Sequence, residues 1–568
     1  MSRSIRCFVM ILGAMLLAAC MPAPEVRVEG DPPPLLFNGE RALAIVTDYV
    51  YKFPYRHSGQ LNNRLAAVWF SDTLSNLGWE CYLDEWEFVN YSQLTHLQNA
   101  VCKLKGESPR EILVVAHHDQ SPATVQGADN DGSGIAILVH LAEIFAAEGQ
   151  PRYTLVFTST DAEEYGMVGT SRYLQSHPDT EMIIAGISMD NMGKYFYNWL
   201  KMEATGQFKG YGQLWLLRTA QDVARTYPDL WVPQIRPLLF QALDQAVPVS
   251  YMDQGPMVAA GIPAFGLAAE EPPEFAELDW NTYHTPEDTI ELQSAEVLGQ
   301  SGKVAEAIIR QLLKMDNHPR QPGPYLYFSE SGFVLRGAPL WIIFAILPAI
   351  FLPASMFTGH ISVDQKLKVW RPALLYFLSL WLPLVGGVLL IYLFVQLGLM
   401  LDFHLYPATT KDPAILNPRW EVVGLFLAGL SLFFALGRAG WQMVRHHLPR
   451  LNPISVKNFS LFVLGLASVY ILLINPFSLL FLLPTLFWLL INERHGQARL
   501  LDWLAFALGG LMVYALIYFF GFVMQRMGFS ILWFLMYMFS SGMIRFSMAL
   551  AITAIIAAGF SMVIRPGK

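Results

Sequence analysis

Residues 111–147 constrain the fold more than any other stretch. They begin with an apolar run, Glu111-Ile112-Leu113-Val114-Val115, that reads as a buried strand. The chain continues as Ala116-His117-His118-Asp119-Gln120 and Gly127-Ala128-Asp129-Asn130-Asp131-Gly132-Ser133-Gly134, and residues 135–147 then read as a helix. Histidine and carboxylates therefore fall where a strand ends and a helix begins. In open α/β sheets that edge is where ligands bind.

The surrounding pattern extends this into a domain over residues 38–316. Helices are expected at 39–52, 61–77, 166–176, 214–227 and 294–315. Strands are expected at 80–88, 98–105, 153–158, 182–189 and 262–267. Strands alternating with helices predict an α/β fold, a mostly parallel central sheet sandwiched by helices.

The chemistry-bearing residues recur after successive strands. His117 and Asp119 follow the first, Asp161-Ala162-Glu163-Glu164 the second and Asp190-Asn191 the third. His284 lies in Tyr283-His284-Thr285-Pro286-Glu287-Asp288-Thr289. Imidazole nitrogen and carboxylate oxygen form the donor set that suits zinc. Taken singly, each has an ordinary explanation: a hydrogen-bonded surface histidine, acidic residues at a helix N-terminus, an aspartate cap. The ordered series outweighs these.

That series resembles the co-catalytic di-zinc aminopeptidase family, whose relatives include the glutaminyl cyclases and the transferrin-receptor ectodomain. The matching pieces are His-His-Asp at 117–119, the Gly-Ala-Asp-Asn-Asp-Gly-Ser-Gly loop at 127–134, Ala-Glu-Glu-Tyr-Gly at 162–166, Met-Asp-Asn-Met-Gly at 189–193 and Tyr-His-Thr-Pro-Glu-Asp-Thr at 283–289. The resemblance implies a peptidase with two zinc ions per chain acting on peptide substrates. His117 and Asp190 would hold one ion, and Glu164 and His284 the other. Asp119 would orient His117, Asp288 would support His284, and Glu163 would be the general base. His118 would point into the structure. One departure stands out. The family's bridging aspartate lies three residues before the Ser of Ser-Gly, and that position here is Asn130. Asp129 is the expected substitute if the loop shifts by one; otherwise the two-metal site is weakened or holds a single ion. Asp253, in the unusual stretch 250–256, is a candidate partner for a substrate amine or a simple turn residue.

Residues 1–20 read as a signal peptide of lipoprotein type. Arg3 and Arg6 precede a short apolar run that ends Leu17-Ala18-Ala19-Cys20, with Cys20 as the lipidation site. A proline-rich tether follows at 21–37. Residues 317–337 read as a linker. From there to residue 568 the chain is mostly apolar. Across the whole chain 54% of residues are hydrophobic and only 15% charged, against about 25% charged in soluble proteins. About seven spanning helices are expected, near 338–357, 373–401, 420–441, 457–474, 475–492, 502–524 and 541–563. Lys366, Lys368, Arg371, Arg445, Arg450, Lys457, Arg494, Arg499, Arg565 and Lys568 fall in alternate loops. This places the peptidase domain outside the cytoplasm. The expectation is a multi-pass inner-membrane protein with a periplasmic or extracellular catalytic domain. In that compartment Cys81 and Cys102 can form a disulfide; otherwise they are small buried thiols.

A net charge of −8, with no basic stripe in the first half of the chain, gives no nucleic-acid footprint, and no nucleic-acid partner is expected. The expected partners are peptide substrate and the lipid bilayer. Nothing in the sequence identifies a protein partner for the membrane domain. Three alternatives compete with a zinc exopeptidase: a single-zinc glutaminyl cyclase, a receptor or scaffold that kept the fold, and a transporter with an accessory peptidase. Intramembrane charge is sparse, with Arg438 and Arg545 the chief cases, which disfavours the last.

Overall fold

A computed structural model describes residues 20–22, 32–90, 93–316, 318–357, 363–400, 415, 417–492, 498–518 and 528–564. The expected leader, most of the tether and the charges at Lys411, Arg494, Arg526, Arg565 and Lys568 lie outside the described residues. Cys20 falls within a described strand, but its side chain and its expected lipidation also lie outside them.

The chain divides into two compact units at Gly337/Ala338. Ten strands are described: β1 (Cys20–Pro22), β2 (Glu80–Asn90), β3 (Gln93–Leu104), β4 (Ser108–His117), β5 (Tyr153–Thr160), β6 (Ile183–Met189), β7 (Trp199–Glu203), β8 (Ala264–Glu270), β9 (Tyr325–Phe328) and β10 (Phe333–Arg336). Seven of them form the main sheet in the order β2-β3-β5-β4-β6-β8-β7. Its centre, β5-β4-β6-β8, is parallel, whereas the pairings β2–β3, β3–β5 and β7–β8 are antiparallel. The sheet is therefore mixed, with the expected parallel arrangement confined to the strands joined by crossover helices.

The central strands are buried on both faces, which is why they read as unbroken apolar runs. Ile112 to Ala116 are at most 1% exposed. The helix Gly134–Glu148 covers one face with eleven buried residues. The helix Ala295–Lys314 packs its apolar stripe on the same core, with Ser294 capping it through Val297 N–H. On the antiparallel flank Cys81 faces Cys102 directly across β2 and β3, and the two form a disulfide.

The stretch expected as a linker carries structure instead. β9 and β10 pair antiparallel and form a second small sheet with β1. The outer edge of β9 is closed by two glutamines from the helix Leu238–Ala246. Gln241 Nε2 donates to Tyr327 O at 3.0 Å and its Oε1 accepts Tyr327 N–H at 2.9 Å. Gln245 does the same for Tyr325, at 2.6 and 3.2 Å. One helical turn and two strand residues are nearly the same length, about 6 Å, so glutamines four apart match alternate strand residues. These side chains stand in for a neighbouring strand.

Among the described residues the second unit contains five helices long and apolar enough to cross a membrane: Ala338–Met356, Trp370–Gln396, Trp420–Arg445, Pro453–Ile474 and Phe546–Val563. Two of the seven expected spans take a different form among the described residues. Pro476–Leu490 is a 3-10 helix of 15 residues. The described part of the 502–524 span lies in Leu500–Gly509 and Leu511–Tyr518, separated at Gly510, and residues 519–524 lie outside the described residues. Exposed leucines line Trp420–Arg445, including Leu425, Leu432 and Leu436, an arrangement suited to hydrocarbon rather than water.

Candidate metal centre

Three parallel strands deliver side chains to one edge of the sheet. β4 ends on His117. β5 ends at Thr160 and leads into Asp161–Glu164. β6 ends at Met189 and leads into Asp190. His284 joins them from the turn after the helix Ala276–Thr282. His117, Glu163, Glu164, Asp190 and His284 are all buried.

Two imidazoles face the same space. His117 Nε2 lies 3.8 Å from Asp190 Oδ1 and 3.9 Å from Glu163 Oε2. His284 Nε2 lies 3.0 Å from Glu164 Oε1 and 2.6 Å from Asn130 Nδ2. Ligand atoms of His117, Asp131 and Asp190 lie within 4.8 Å of one another, as do those of His117, Glu163 and Glu164.

The backbone is bent to achieve this. Ala162, Asn191 and His284 adopt left-handed φ angles of 57°, 55° and 57°. All three are non-glycine residues beside or within the cluster, and such conformations concentrate at functional sites. Gly134 serves the same end. A β-carbon there would collide with the Asp131 carboxylate. That carboxylate accepts Gly134 N–H at 2.9 Å and His117 N–H at 3.1 Å, joining the end of β4 to the start of the following helix.

Asp119 is the hub. Its Oδ1 is 3.4 Å from His117 Nδ1 and accepts Glu163 N–H at 3.0 Å. Its Oδ2 accepts Glu164 N–H at 3.2 Å and the Ser58 hydroxyl at 3.3 Å. Tyr283 stacks on His284, ring centroids 3.8 Å apart.

Asp129, the expected bridging ligand, is turned out of this cluster. Its oxygens accept Gly193 N–H at 2.9 Å and the Tyr197 hydroxyl at 2.8 Å, and Lys194 Nζ lies 3.6 Å away. Lys194 is buried and also pairs with Asp279 at 2.7 Å. A buried ammonium needs counter-charge, and Asp129 supplies part of it. The next side chain, Asn130, is the one that reaches His284. Asp288 also differs from expectation. Its two oxygens accept the N–H groups of Asp129 and Asn130, at 2.9 and 3.1 Å, so it anchors this loop.

The other candidates are placed as follows. His118 points into the core, with Nδ1 2.9 Å from the Ser159 hydroxyl. Asp161 accepts from Asn63 Nδ2 and Gln98 N–H and is structural. Asp253 is buried and accepts the Thr160 hydroxyl at 2.6 Å. Two contributors had no signal in the sequence. Ser58 supports Asp119. The buried Arg56 guanidinium donates to the carbonyls of Phe53, His118, Gln126 and Gly127, pinning the loop that follows β4. They lie 61 (Arg56) and 59 (Ser58) residues before His117.

The electrostatics call for a cation. Burial pushes Glu163 well above the usual carboxyl range, and Glu164, Asp253 and Asp190 add to the shift against the pull of His117. Burial and then Asp190 do the same to Asp131. Burial opposes charge on His117, yet Asp119, Asp190 and Glu163 together raise it well above its ordinary value. A divalent ion would reverse this balance for the carboxylates. The unsatisfied atoms agree. His117 Nε2, Glu163 Oε1, Glu164 Oε2 and Asn130 Oδ1 are buried without hydrogen-bond partners among the described residues. Nitrogen and carboxylate donors aimed into one space fit zinc.

Residues 99–309 match the family profile described as Peptidase family M28. The chain is similar to a "Vacuolar membrane protease" of Clavispora lusitaniae, 27% identical over 210 residues, covering 36% of this chain and 18% of that one. It is also similar to a "Vacuolar membrane protease" of Candida dubliniensis, 23% identical over 377 residues, covering 63% of this chain and 37% of that one. The chain thus spans well under two thirds of the length of these relatives. Among solved structures, a zinc aminopeptidase from Bacillus subtilis aligns at 14% identity and a TM-score of 0.43, covering 51% of this chain and 98% of that one. A glutaminyl cyclase from an Acidobacteriales bacterium aligns at 19% and 0.40, covering 51% and 99%.

Proposed function

We propose that this protein is a membrane-bound zinc exopeptidase, a reading supported by the match of residues 99–309 to the profile described as Peptidase family M28. It would remove N-terminal residues from peptides outside the cytoplasm. The observation that carries the proposal is the position of Glu163. Its carboxylate stands 3.9 Å from His117 Nε2, one oxygen has no hydrogen-bond partner among the described residues, and its backbone N–H is fixed by Asp119.

His117 and Asp190 would hold one zinc ion, and Glu164 and His284 a second. Bound zinc supplies Lewis acidity, polarising the scissile carbonyl and making a water more acidic. Glu163 takes the proton from the attacking water at its carboxylate and returns it to the departing amine. Asp119 acts as a positioning residue for His117, Glu163 and Glu164. Asp129 belongs to the supporting network with Lys194 and Tyr197. The Cys81–Cys102 disulfide and the distribution of basic loop residues support a catalytic domain on the non-cytoplasmic side. Lipidation at Cys20 would add an anchor to the spanning helices.

The second reading is cyclisation of N-terminal glutamine. A specific observation favours it: the neutral amide of Asn130 lies 2.6 Å from His284, which leaves Glu164 as the one carboxylate immediately beside that imidazole among the described residues. One experiment separates the readings. The full-length chain is purified in detergent, its zinc content measured, and a panel of aminoacyl amides and glutaminyl peptides assayed with and without chelator, beside Glu163→Gln. Release of free amino acids that is lost with chelator and in the variant supports the exopeptidase. Ammonia release without chain shortening supports the cyclase. A chain without bound zinc or chelator-sensitive turnover overturns both.

A further inference from the structure

The two halves of the cluster are not equivalent in charge. Around His117 Nε2 stand the carboxylates of Asp190 and Glu163, with Asp131 and Glu164 within the same 4.8 Å groupings. Around His284 Nε2 the immediate partners are one carboxylate, Glu164 at 3.0 Å, and the amide of Asn130 at 2.6 Å. Among the described residues, His284 enters no three-member grouping of histidine and acidic ligands. Rotating the Asn130 amide by 180° exchanges its two polar atoms and turns Oδ1, which has no hydrogen-bond partner among the described residues, toward His284. The oxygen offered there remains neutral. Asp129, whose charge could have compensated, is committed to Gly193, Tyr197 and Lys194. It cannot swing round without leaving Lys194 less compensated in the core.

We infer that this site binds two divalent ions with unequal affinity. The tight position is at His117 and Asp190. The weak position is at Glu164 and His284, and Asn130 is the residue that makes it weak. This rests on the zinc-site reading above but goes beyond it. Occupancy of the second position would then follow the free zinc concentration, so full activity would depend on metal supply in the compartment the site faces. A divalent cation gains less from a neutral amide than from a carboxylate of the same reach, because the charge–charge attraction is absent.

The test is a metal titration that does not rely on activity. The full-length chain in detergent is stripped with chelator and titrated with Zn2+ by calorimetry. Co2+ absorption and elemental analysis provide independent counts. The expected result is one tight ion and a second bound at least tenfold more weakly. His284→Ala should abolish only the weak step, and His117→Ala the tight one. Asn130→Asp should tighten the weak step by at least tenfold and leave the first nearly unchanged. Two ions of equal affinity in the parent chain would overturn the inference while leaving the peptidase reading intact, as would an unchanged weak step in a folded Asn130→Asp. If Asn130→Asp does not fold, the parent titration and His284→Ala still decide the matter. Absence of any tight Zn2+ binding would overturn both this inference and the peptidase reading.

Discussion

The carboxylate of Asp119 accepts the backbone N–H of Glu163 at 3.0 Å while lying 3.4 Å from His117 Nδ1. One side chain thereby sets the distance between the proposed base, in the turn after β5, and a proposed ligand at the end of β4. It also accepts Glu164 N–H, so three roles depend on it. Asp119→Asn keeps the size but removes the charge and half of the acceptor capacity. The expected outcome is a 10- to 100-fold loss of kcat with zinc affinity lowered by a similar factor. Kinetics at saturating zinc, together with a zinc competition assay, check both.

Glu163 is the residue whose loss should separate chemistry from binding. Its carboxylate is not needed to hold either proposed ion, because His117–Asp190 and Glu164–His284 remain. Glu163→Gln is expected to lower kcat by about 10²–10⁴-fold with little change in KM. Zinc content by elemental analysis should match the parent. Equal loss of zinc and of activity would show that Glu163 is a ligand rather than a base.

Much of this arrangement was legible in the sequence, for a specific reason. His117, Glu163–Glu164 and Asp190 each follow a strand whose apolar run is unmistakable, so one rule about strand ends locates them all. What was not legible depends on contacts between distant segments. The choice of Asn130 over Asp129 turns on Lys194, 65 positions downstream of Asp129, whose burial draws the Asp129 carboxylate away. Asp288 looked like a partner for His284 from its spacing, yet it folds back onto the 129–130 backbone. β9 and β10 lay in an apparent linker because their edge is closed by the glutamines of a helix 80 residues earlier. Composition marked the membrane unit clearly. It did not show where an apolar run would be wound as a 3-10 helix or broken at Gly510.

Asp288 yields a stability prediction. Its oxygens are the acceptors for two buried N–H groups, those of Asp129 and Asn130. Asp288→Ala leaves both donors without that acceptor, at about 1–3 kcal/mol each. Urea unfolding of the metal-free chain should show a loss on the order of 2–6 kcal/mol. Because the Asn130 loop is freed, the weaker zinc-binding step should also deteriorate more than the stronger one.

His118 gives a pH dependence. Burial pushes its imidazole down to about 3, with His117 and Arg56 adding to the shift against Asp119. The unfolded chain has a value near 6.5, so it takes up the proton first as the pH falls. The stability contributed by a neutral His118 is therefore complete above about 6.5 and is lost between there and about 3. Between pH 7.5 and 5 the parent should lose about 2 kcal/mol more than His118→Gln. Urea midpoints of the two metal-free chains at both pH values check it. Equal losses would show that His118 is not held neutral in the fold.

The Cys81–Cys102 disulfide joins residues 21 positions apart, directly opposite each other on β2 and β3. Closing a loop of this size restricts the unfolded chain by about 3 kcal/mol in the chain-entropy description. Cys81→Ser is therefore expected to lower the urea midpoint by a corresponding amount. β3 lies beside β5, the strand that leads into Glu163 and Glu164, but the disulfide is on its outer pairing with β2. Zinc content and kcat at moderate temperature should consequently remain near the parent values. A parallel loss of zinc would show that the antiparallel flank holds the metal-bearing edge in place.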